Sequence, residues 1–226
     1  ASLRSSVVSH AKMLGYEVAS PRAPVATINI NLSTSNATAT MPAGTSFTTS
    51  VDGVSYQFVT ISDVTKQNTG NSVPFDSTEV YEGTYATTKY LVNSNDVDQR
   101  FMLTDVRADT STLTVKVQNS TTDTTTTTYT KATDITQLSS SSTVYYLQET
   151  ESGKFEIYFG DGVTSTAVSD GNIVQLNYVI TNKTAANGAS SFTSPSSIDG
   201  VTGVTVTTVS NACLLYTSDA ADDQAS

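Results

Sequence analysis

The feature that most constrains the fold of this chain is the alternation of apolar and polar residues in short segments. Ala26, Ile28, Ile30 and Leu32 are separated by threonine and asparagine. In residues 172–180 one face contains Ile173, Gln175, Asn177 and Val179, and the other, predicted to be core, contains Val174, Leu176, Tyr178 and Ile180. A period of two places successive side chains on opposite faces of a strand, so each segment predicts a strand with one buried face. We therefore predict a mainly β protein of antiparallel sheets, arranged as a sandwich or as mixed β units.

Turn residues between such segments predict two hairpins. Asp52-Gly53 forms the corner of the first, and Asp-Gly pairs accept the positive φ angles that tight hairpin turns require. The second hairpin turns at Gly153. The strands of both hairpins and the other predicted strands are residues 47–51, 54–59, 80–85, 90–92, 100–104, 113–118, 144–148, 155–159 and 204–209.

A threonine-rich segment interrupts this pattern. Residues 121–128 contain only threonine and one aspartate, so burial of apolar side chains cannot order them. We predict a mobile loop tip here.

The first residues of the chain have helical rather than strand periodicity. Ser2 can cap a helix that Gly15 ends, and two prolines at 21 and 24 enforce extended backbone after it. We predict a helix and linker at residues 1–20, which belong to an upstream region, and a β-rich region at 21–212. The β-rich region could form two subdomains, at about 21–120 and 129–212. One or two short helical turns are also expected, one of them at residues 134–138. The apolar positions of the helix are Leu3, Val7, Val8, Ala11 and Leu14.

The end of the chain differs from the rest. Residues 213–223 resemble one reading frame of a transposase adapter used in sequencing libraries, so we interpret 213–226 as a non-native tail. This tail contains the only cysteine and three aspartates, and leaving it out changes the formal net charge from −10 to −7. A disulfide and a cysteine-ligated metal are then excluded.

Composition argues against several kinds of partner. An acidic chain repels phosphates, so nucleic acid is not an expected partner. No apolar run approaches the roughly 18 residues that span a bilayer, so a membrane is not expected either. Charged residues make up 14% of the chain, and threonine, serine and asparagine fill most polar positions, as is typical of pleated surfaces.

Catalytic chemistry has little material in this sequence. His10 is the only histidine, and it lies on the polar side of the predicted helix. We therefore expect neither a Ser-His-Asp triad nor a metal site built from several histidines. Four carboxylates near the second hairpin could in principle act in pairs, but hairpin geometry is expected to place them on the solvent face: Glu149, Glu151, Glu156 and Asp161. We predict no enzyme, no catalytic residue, no cofactor, no metal and no small-molecule substrate.

Several segments, taken in order, resemble the baseplate wedge protein of T4-like phages, a member of the baseplate J-like group. The most specific segment is residues 155–162, Phe-Glu-Ile-Tyr-Phe-Gly-Asp-Gly. The other matching segments are residues 3–16, 20–26, 42–47, 81–84, 100–103, 145–148, 171–172, 186–188 and 191–192. The resemblance covers nearly all of residues 1–212, and the polythreonine segment departs from it.

The resemblance implies a structural component of a contractile phage tail. Such a component forms, with other wedge subunits and with copies of itself, the ring around the central hub of the baseplate. It would be located in the virion and assembled in the cytoplasm of the host bacterium. We expect Leu3, Val7 and Leu14 to contribute to a subunit interface, because the apolar face that they form is predicted to stay incompletely covered by residues 16–212.

Two alternatives stay open. The first is a cell-surface or tail-fibre β-module that binds glycans, because tyrosines on polar sheets can stack on sugars. The second is a glycosidase that uses Glu149 and Glu156, which would require two facing carboxylates about 5–10 Å apart in a cleft.

Overall fold

A computed structural model describes residues 20–96, 99–133, 138–163 and 165–214. The mainly β, largely antiparallel fold predicted from the sequence is confirmed there. The predicted N-terminal helix lies outside the described residues and is not confirmed, and residues 134–137 of the predicted helical turn lie outside them too. The strands are β1 (Val25–Ser33), β2 (Thr38–Met41), β3 (Ser46–Val51), β4 (Val54–Val59), β5 (Val64–Gln67), β6 (Ser72–Glu82), β7 (Thr84–Leu91), β8 (Phe101–Met102), β9 (Ala108–Gln118), β10 (Thr126–Lys131), β11 (Val144–Glu149), β12 (Phe155–Phe159), β13 (Ile173–Ile180) and β14 (Val204–Cys213), and a short 3-10 helix spans Lys183–Ala186.

The chain divides into two compact units, and one of them is inserted into the sequence of the other. The inserted unit comprises residues 85–181 together with the described residues 20–21, and the outer unit comprises residues 22–84 and 182–214. This division differs from the subdomains considered at about 21–120 and 129–212. The difference arises because β1 pairs with β14, so strands from the two ends of the described chain share one sheet.

The outer unit is built on an antiparallel five-stranded sheet in the order β14-β1-β6-β4-β3, beside a two-stranded sheet of β2 and β5. Ala26, Ile28, Ile30 and Leu32 of β1 are all buried, which confirms the face predicted from their alternation. They pack in one cluster with phenylalanines of β3, β4 and β6. The core of the outer unit therefore lies against a single face of its large sheet.

The predicted first hairpin is confirmed as β3 and β4. Asp52 and Gly53 have φ angles of 51° and 80°, as the tight corner requires. Beyond the hairpin, the ring of Phe58 meets Phe192 edge to face at a centroid distance of 5.1 Å. This contact attaches the loop that precedes β14 to the core.

The inserted unit contains a seven-stranded sheet in the order β7-β13-β9-β10-β11-β12-β8. Pairing is parallel between β10 and β11 and antiparallel in the other registers described. Val174, Leu176 and Tyr178 of β13 are fully buried, as predicted. Ile180, predicted for the same face, is only half-buried, because a register shift between Asn177 and Val179 changes the alternation.

The prediction of a mobile loop tip at residues 121–128 is wrong for its second half. Thr126 to Thr128 belong to β10 and pair with β9, while Tyr129 of the same strand is buried. Threonine is well suited to a strand surface, and one anchored aromatic residue suffices to place the strand. Asp123 also orders the turn itself, because its carboxylate accepts hydrogen bonds from the Asn119 side-chain amide and from the backbone N–H of Thr125.

Candidate interaction surfaces

The residues predicted to contribute to a subunit interface lie outside the described part of the chain. Leu3, Val7 and Leu14 all belong to residues 1–19, so their burial stays a prediction.

The four carboxylates near the second hairpin do not share one environment. Glu151 and Asp161 are exposed, as expected, whereas Glu149 and Glu156 are each only 6% exposed. The expectation that hairpin geometry keeps all four on the solvent face is therefore wrong for these two. Side chains of β11 and β12 are in contact with other parts of the inserted unit on both faces of the hairpin.

The register of the hairpin separates Glu149 from Glu156. Glu156 lies opposite Gln148, and Glu149 lies opposite Phe155. Directly paired residues share a face and adjacent residues point to opposite faces, so the two glutamates lie on opposite faces of the hairpin. They do not form the pair of facing carboxylates that a glycosidase requires.

Glu156 is instead part of a polar network with two side chains. Arg100 donates a hydrogen bond from Nε to one carboxylate oxygen, and Gln148 donates from Nε2 to the other. The bond to Glu156 raises the pKa of Arg100 above its usual value. Because the Glu156 side chain is buried and the Arg100 side chain is 54% exposed, this ion pair joins a buried acid to a solvent-facing base.

A shallow groove of about 320 Å³ runs beside this network on the inserted unit. Tyr158, which contributes to it, stacks on Tyr146 across the hairpin at a centroid distance of 5.1 Å. Such a stacked pair stabilises a hairpin by itself, without any ligand. The groove is thus explained by the packing of β8, β11 and β12.

Among the described residues, no group of three or more histidine, cysteine, aspartate or glutamate side chains could hold a metal ion. Within the same residues, no helix is long and apolar enough to span a membrane. Sheet edges are a further kind of feature through which the described chain can contact another protein.

Four strands form the edges of the two large sheets: β14 and β3 in the outer unit, and β7 and β8 in the inserted unit. Edge strands expose backbone N–H and C=O groups that can pair with another chain. The strand at Val204–Cys213 is longer than the sequence prediction of 204–209, and it has valine, threonine, serine, asparagine, alanine and cysteine but no charged residue. The edge strands β3 and β8 also lack charged residues, but β14 is the longest of these three.

Comparison with known proteins identifies what the chain is similar to. The model of a family described as bacteriophage baseplate wedge protein gp6, third domain, matches residues 87–190, which nearly coincide with the inserted unit. The chain is 28% identical over 228 residues to the baseplate wedge protein gp6 of Enterobacteria phage T4, covering 91% of this chain and 33% of that protein. It therefore spans about a third of the length of this relative.

Both matches are to one class of protein, the structural proteins of phage tail baseplates. Within that class, the resemblance to the baseplate wedge protein of T4-like phages is confirmed.

Proposed function

We propose that this chain acts in the baseplate wedge of a contractile phage tail, where it helps to form the ring around the central hub through subunit interfaces. It would associate there with other wedge subunits and with copies of itself, after assembly in the cytoplasm of the host bacterium. The observation that carries this proposal is similarity to a wedge protein over 91% of the chain. No catalytic step is needed for such a role.

The described structure supports an assembly role in two ways. The carboxylates that could have acted together, Glu149 and Glu156, lie on opposite faces of one hairpin. In addition, an uncharged strand, β14, forms one edge of the outer sheet. A ring subunit needs extended contact surfaces more than it needs a pocket, because specific protein interfaces bury roughly 1,200–2,000 Å² or more.

A chimeric phage protein tests this function. This chain would replace the matched third of the T4 wedge protein, and the chimera would be supplied to cells infected with a phage that lacks the wedge protein. We expect tails with baseplates in negative-stain electron micrographs and the chimera in purified virions. A matched chimera with Leu3→Ser, Val7→Ser and Leu14→Ser should assemble poorly if the predicted interface is correct.

Two results would argue against the proposal. One is a chimera that is soluble and folded, as judged by circular dichroism, but is absent from virions. The other is specific binding of the isolated chain to a panel of glycans, which would favour the glycan-binding alternative.

A further inference from the structure

We propose that residues 204–208 of β14, here called the open edge, form a strand-addition site that accepts one extended, uncharged strand of a neighbouring subunit. The inference rests on the proposed function, because it names the kind of contact that a wedge subunit would make.

The other three edges of the large sheets carry a recognisable form of protection. Thr48 in β3 forms two backbone hydrogen bonds with Thr193, so a loop of the outer unit covers that edge. The β8 edge contains only two residues, and β7 carries an exposed lysine at position 89. Short length, a covering loop and an exposed lysine are the devices by which proteins prevent unwanted strand pairing.

The far half of β14 is protected as well. The backbone of Ala212 bonds to Gly188 and Ala189, so residues of the outer unit cover this end. The register with β1 shifts between Val25 and Thr27 and again between Thr27 and Ile28, which marks irregular backbone along the same half. Bulges of this kind twist an edge away from a would-be partner.

The open edge has neither device among the described residues. Its pairing with β1 is regular from Thr208, opposite Ile28, to Val204, opposite Leu32. A regular strand presents its outer N–H and C=O groups at the spacing that a further strand requires. In an antiparallel pair alternate residues direct their backbone groups away from the neighbouring strand, and the N–H of Val204 already donates to the C=O of Thr202. The template is therefore formed by the outward-facing backbone groups of a regular five-residue segment.

Side-chain chemistry defines the partner. Val204 and Val206 are half-buried and pack against the core of the outer unit, while Thr205 and Thr207 are exposed. An added strand in which apolar, β-branched residues alternate with threonine or serine would match both faces of the sheet. Its apolar residues would lie beside the valines, and its polar residues beside the threonines. An acidic strand would be disfavoured, because it would place carboxylates beside the valines of a chain whose formal net charge is −10.

The size of the site indicates that the partner strand is held by further contacts. A strand of five residues buries far less than the roughly 1,200 Å² of a stable interface. The open edge alone thus predicts weak binding of a free peptide. It does not predict a stable dimer of this chain, and a strand that is part of a neighbouring subunit fits better.

The test uses a capped synthetic peptide in which valine and threonine alternate over six residues, with a lysine at each end for solubility. Amide hydrogen exchange of the full chain is measured with increasing peptide, and a second peptide of the same composition with its valines and threonines in separate blocks is the control. We expect exchange at residues 204–208 to slow with the alternating peptide and to change little with the control.

Two matched variants locate the effect on the chain. Val206→Lys places a charge at the open edge, whereas Val209→Lys places the same charge on the same strand at a residue that is 54% exposed and outside the open edge. We expect Val206→Lys to weaken peptide binding by about tenfold or more and Val209→Lys to leave it within about twofold. Thr207→Lys, at an exposed position, serves as a second test if Val206→Lys lowers the thermal stability.

Several outcomes would overturn the inference. One is the absence of any slowing at millimolar peptide. Another is slow exchange, in the free chain, of those amides of residues 204–208 that face away from β1. A third is slowing of exchange that depends on protein concentration and not on peptide, which would indicate self-pairing. Equal effects of the two lysine variants would also contradict it. The chimeric phage assay distinguishes the two proposals, because virion assembly that survives Val206→Lys would refute the open edge and leave the wedge function intact.

Discussion

Replacing Glu82 with glutamine should destabilise the outer unit much more than the same change at a neighbouring position of β6. Glu82 is 1% exposed, and its two carboxylate oxygens accept hydrogen bonds from the backbone N–H and the side-chain amide of Asn182, each at 2.8 Å. Glutamine keeps the shape but turns one acceptor into an NH₂ group that faces a donor. The buried site then loses one charge-assisted hydrogen bond.

The magnitude follows from these contacts. A hydrogen bond to a charged group contributes about 1.5–3 kcal/mol, and a buried donor left without its acceptor costs a comparable amount. We therefore expect Glu82→Gln to lower the free energy of unfolding by about 2–3 kcal/mol. Glu82→Ala should cost more, because it also removes the second acceptor and leaves a cavity.

Urea denaturation followed by far-ultraviolet circular dichroism measures the effect, with amide hydrogen exchange in β6 to assign the change to the outer unit. Glu79→Gln is the matched control, because Glu79 lies in the same strand, is exposed and accepts a hydrogen bond from the Tyr81 hydroxyl. Its cost should stay below about 0.5 kcal/mol. Wild-type stability in Glu82→Gln, or an equal loss in both variants, would refute the reasoning.

Three further predictions concern single sites. Gly53→Ala should lower the free energy of unfolding by about 1 kcal/mol in urea denaturation, because alanine is strained at a φ of 80°. The added methyl group itself has room, since no other atom lies within 4 Å, and an unchanged stability would contradict the prediction. Tyr178→Phe should also cost about 1 kcal/mol, or roughly 2–4 °C in thermal melting, since the buried hydroxyl contacts Thr104 at 3.1 Å; a loss above about 3 kcal/mol would show that more than a hydrogen bond is involved. Hydrogen bonds, first of all from the Asn119 side chain, lower the pKa of Asp123, so this carboxylate stabilises the turn at pH values above its unfolded pKa of about 3.9. That contribution should be lost as the pH falls through the lowered pKa of the folded state. The measurement is hydrogen exchange of the Thr125 amide, which should become faster relative to its intrinsic rate at each pH. Asp123→Asn should abolish this pH dependence.

Local pattern was sufficient to predict much of the fold. The alternation in β1 predicted which of its residues are buried, and the Asp52-Gly53 pair predicted the first hairpin. Both signals arise between residues close in sequence. They depend on the period of the strand and on backbone conformation at a turn, neither of which requires knowledge of distant partners.

Pairing between distant residues could not be predicted in the same way. The insertion of one unit into the other depends on the pairing of β1 with β14, and alternation does not specify which strands pair. The threonine segment predicts a loop because it lacks apolar residues, but its last three residues pair with β9 beside the buried Tyr129. Local composition does not show that β9 lies beside this segment.

The surroundings of the candidate site residues also depend on distant parts of the chain and could not be predicted from local pattern. Glu156 is buried beside Arg100, which is 56 positions earlier in the chain, so reading the hairpin alone placed its carboxylate in solvent. The edge position of β14 depends equally on the order of strands in the sheet. The alternating valines and threonines of residues 204–208 were visible in the sequence, but their availability for pairing was not.

The contact between Glu82 and Asn182 has a consequence for how this chain can vary. Glu82, the last residue of β6, lies three positions before the inserted unit and is bonded to Asn182, the first residue after it, although the two are 100 positions apart. An inserted domain whose two ends meet at one point can be lengthened, exchanged or removed without changing the register of the sheet that hosts it. Residues 85–181 should therefore be replaceable as a unit: a short glycine-serine linker between residues 84 and 182 should leave a folded outer unit. Related chains can differ in this inserted unit while the sheet of the outer unit stays the same.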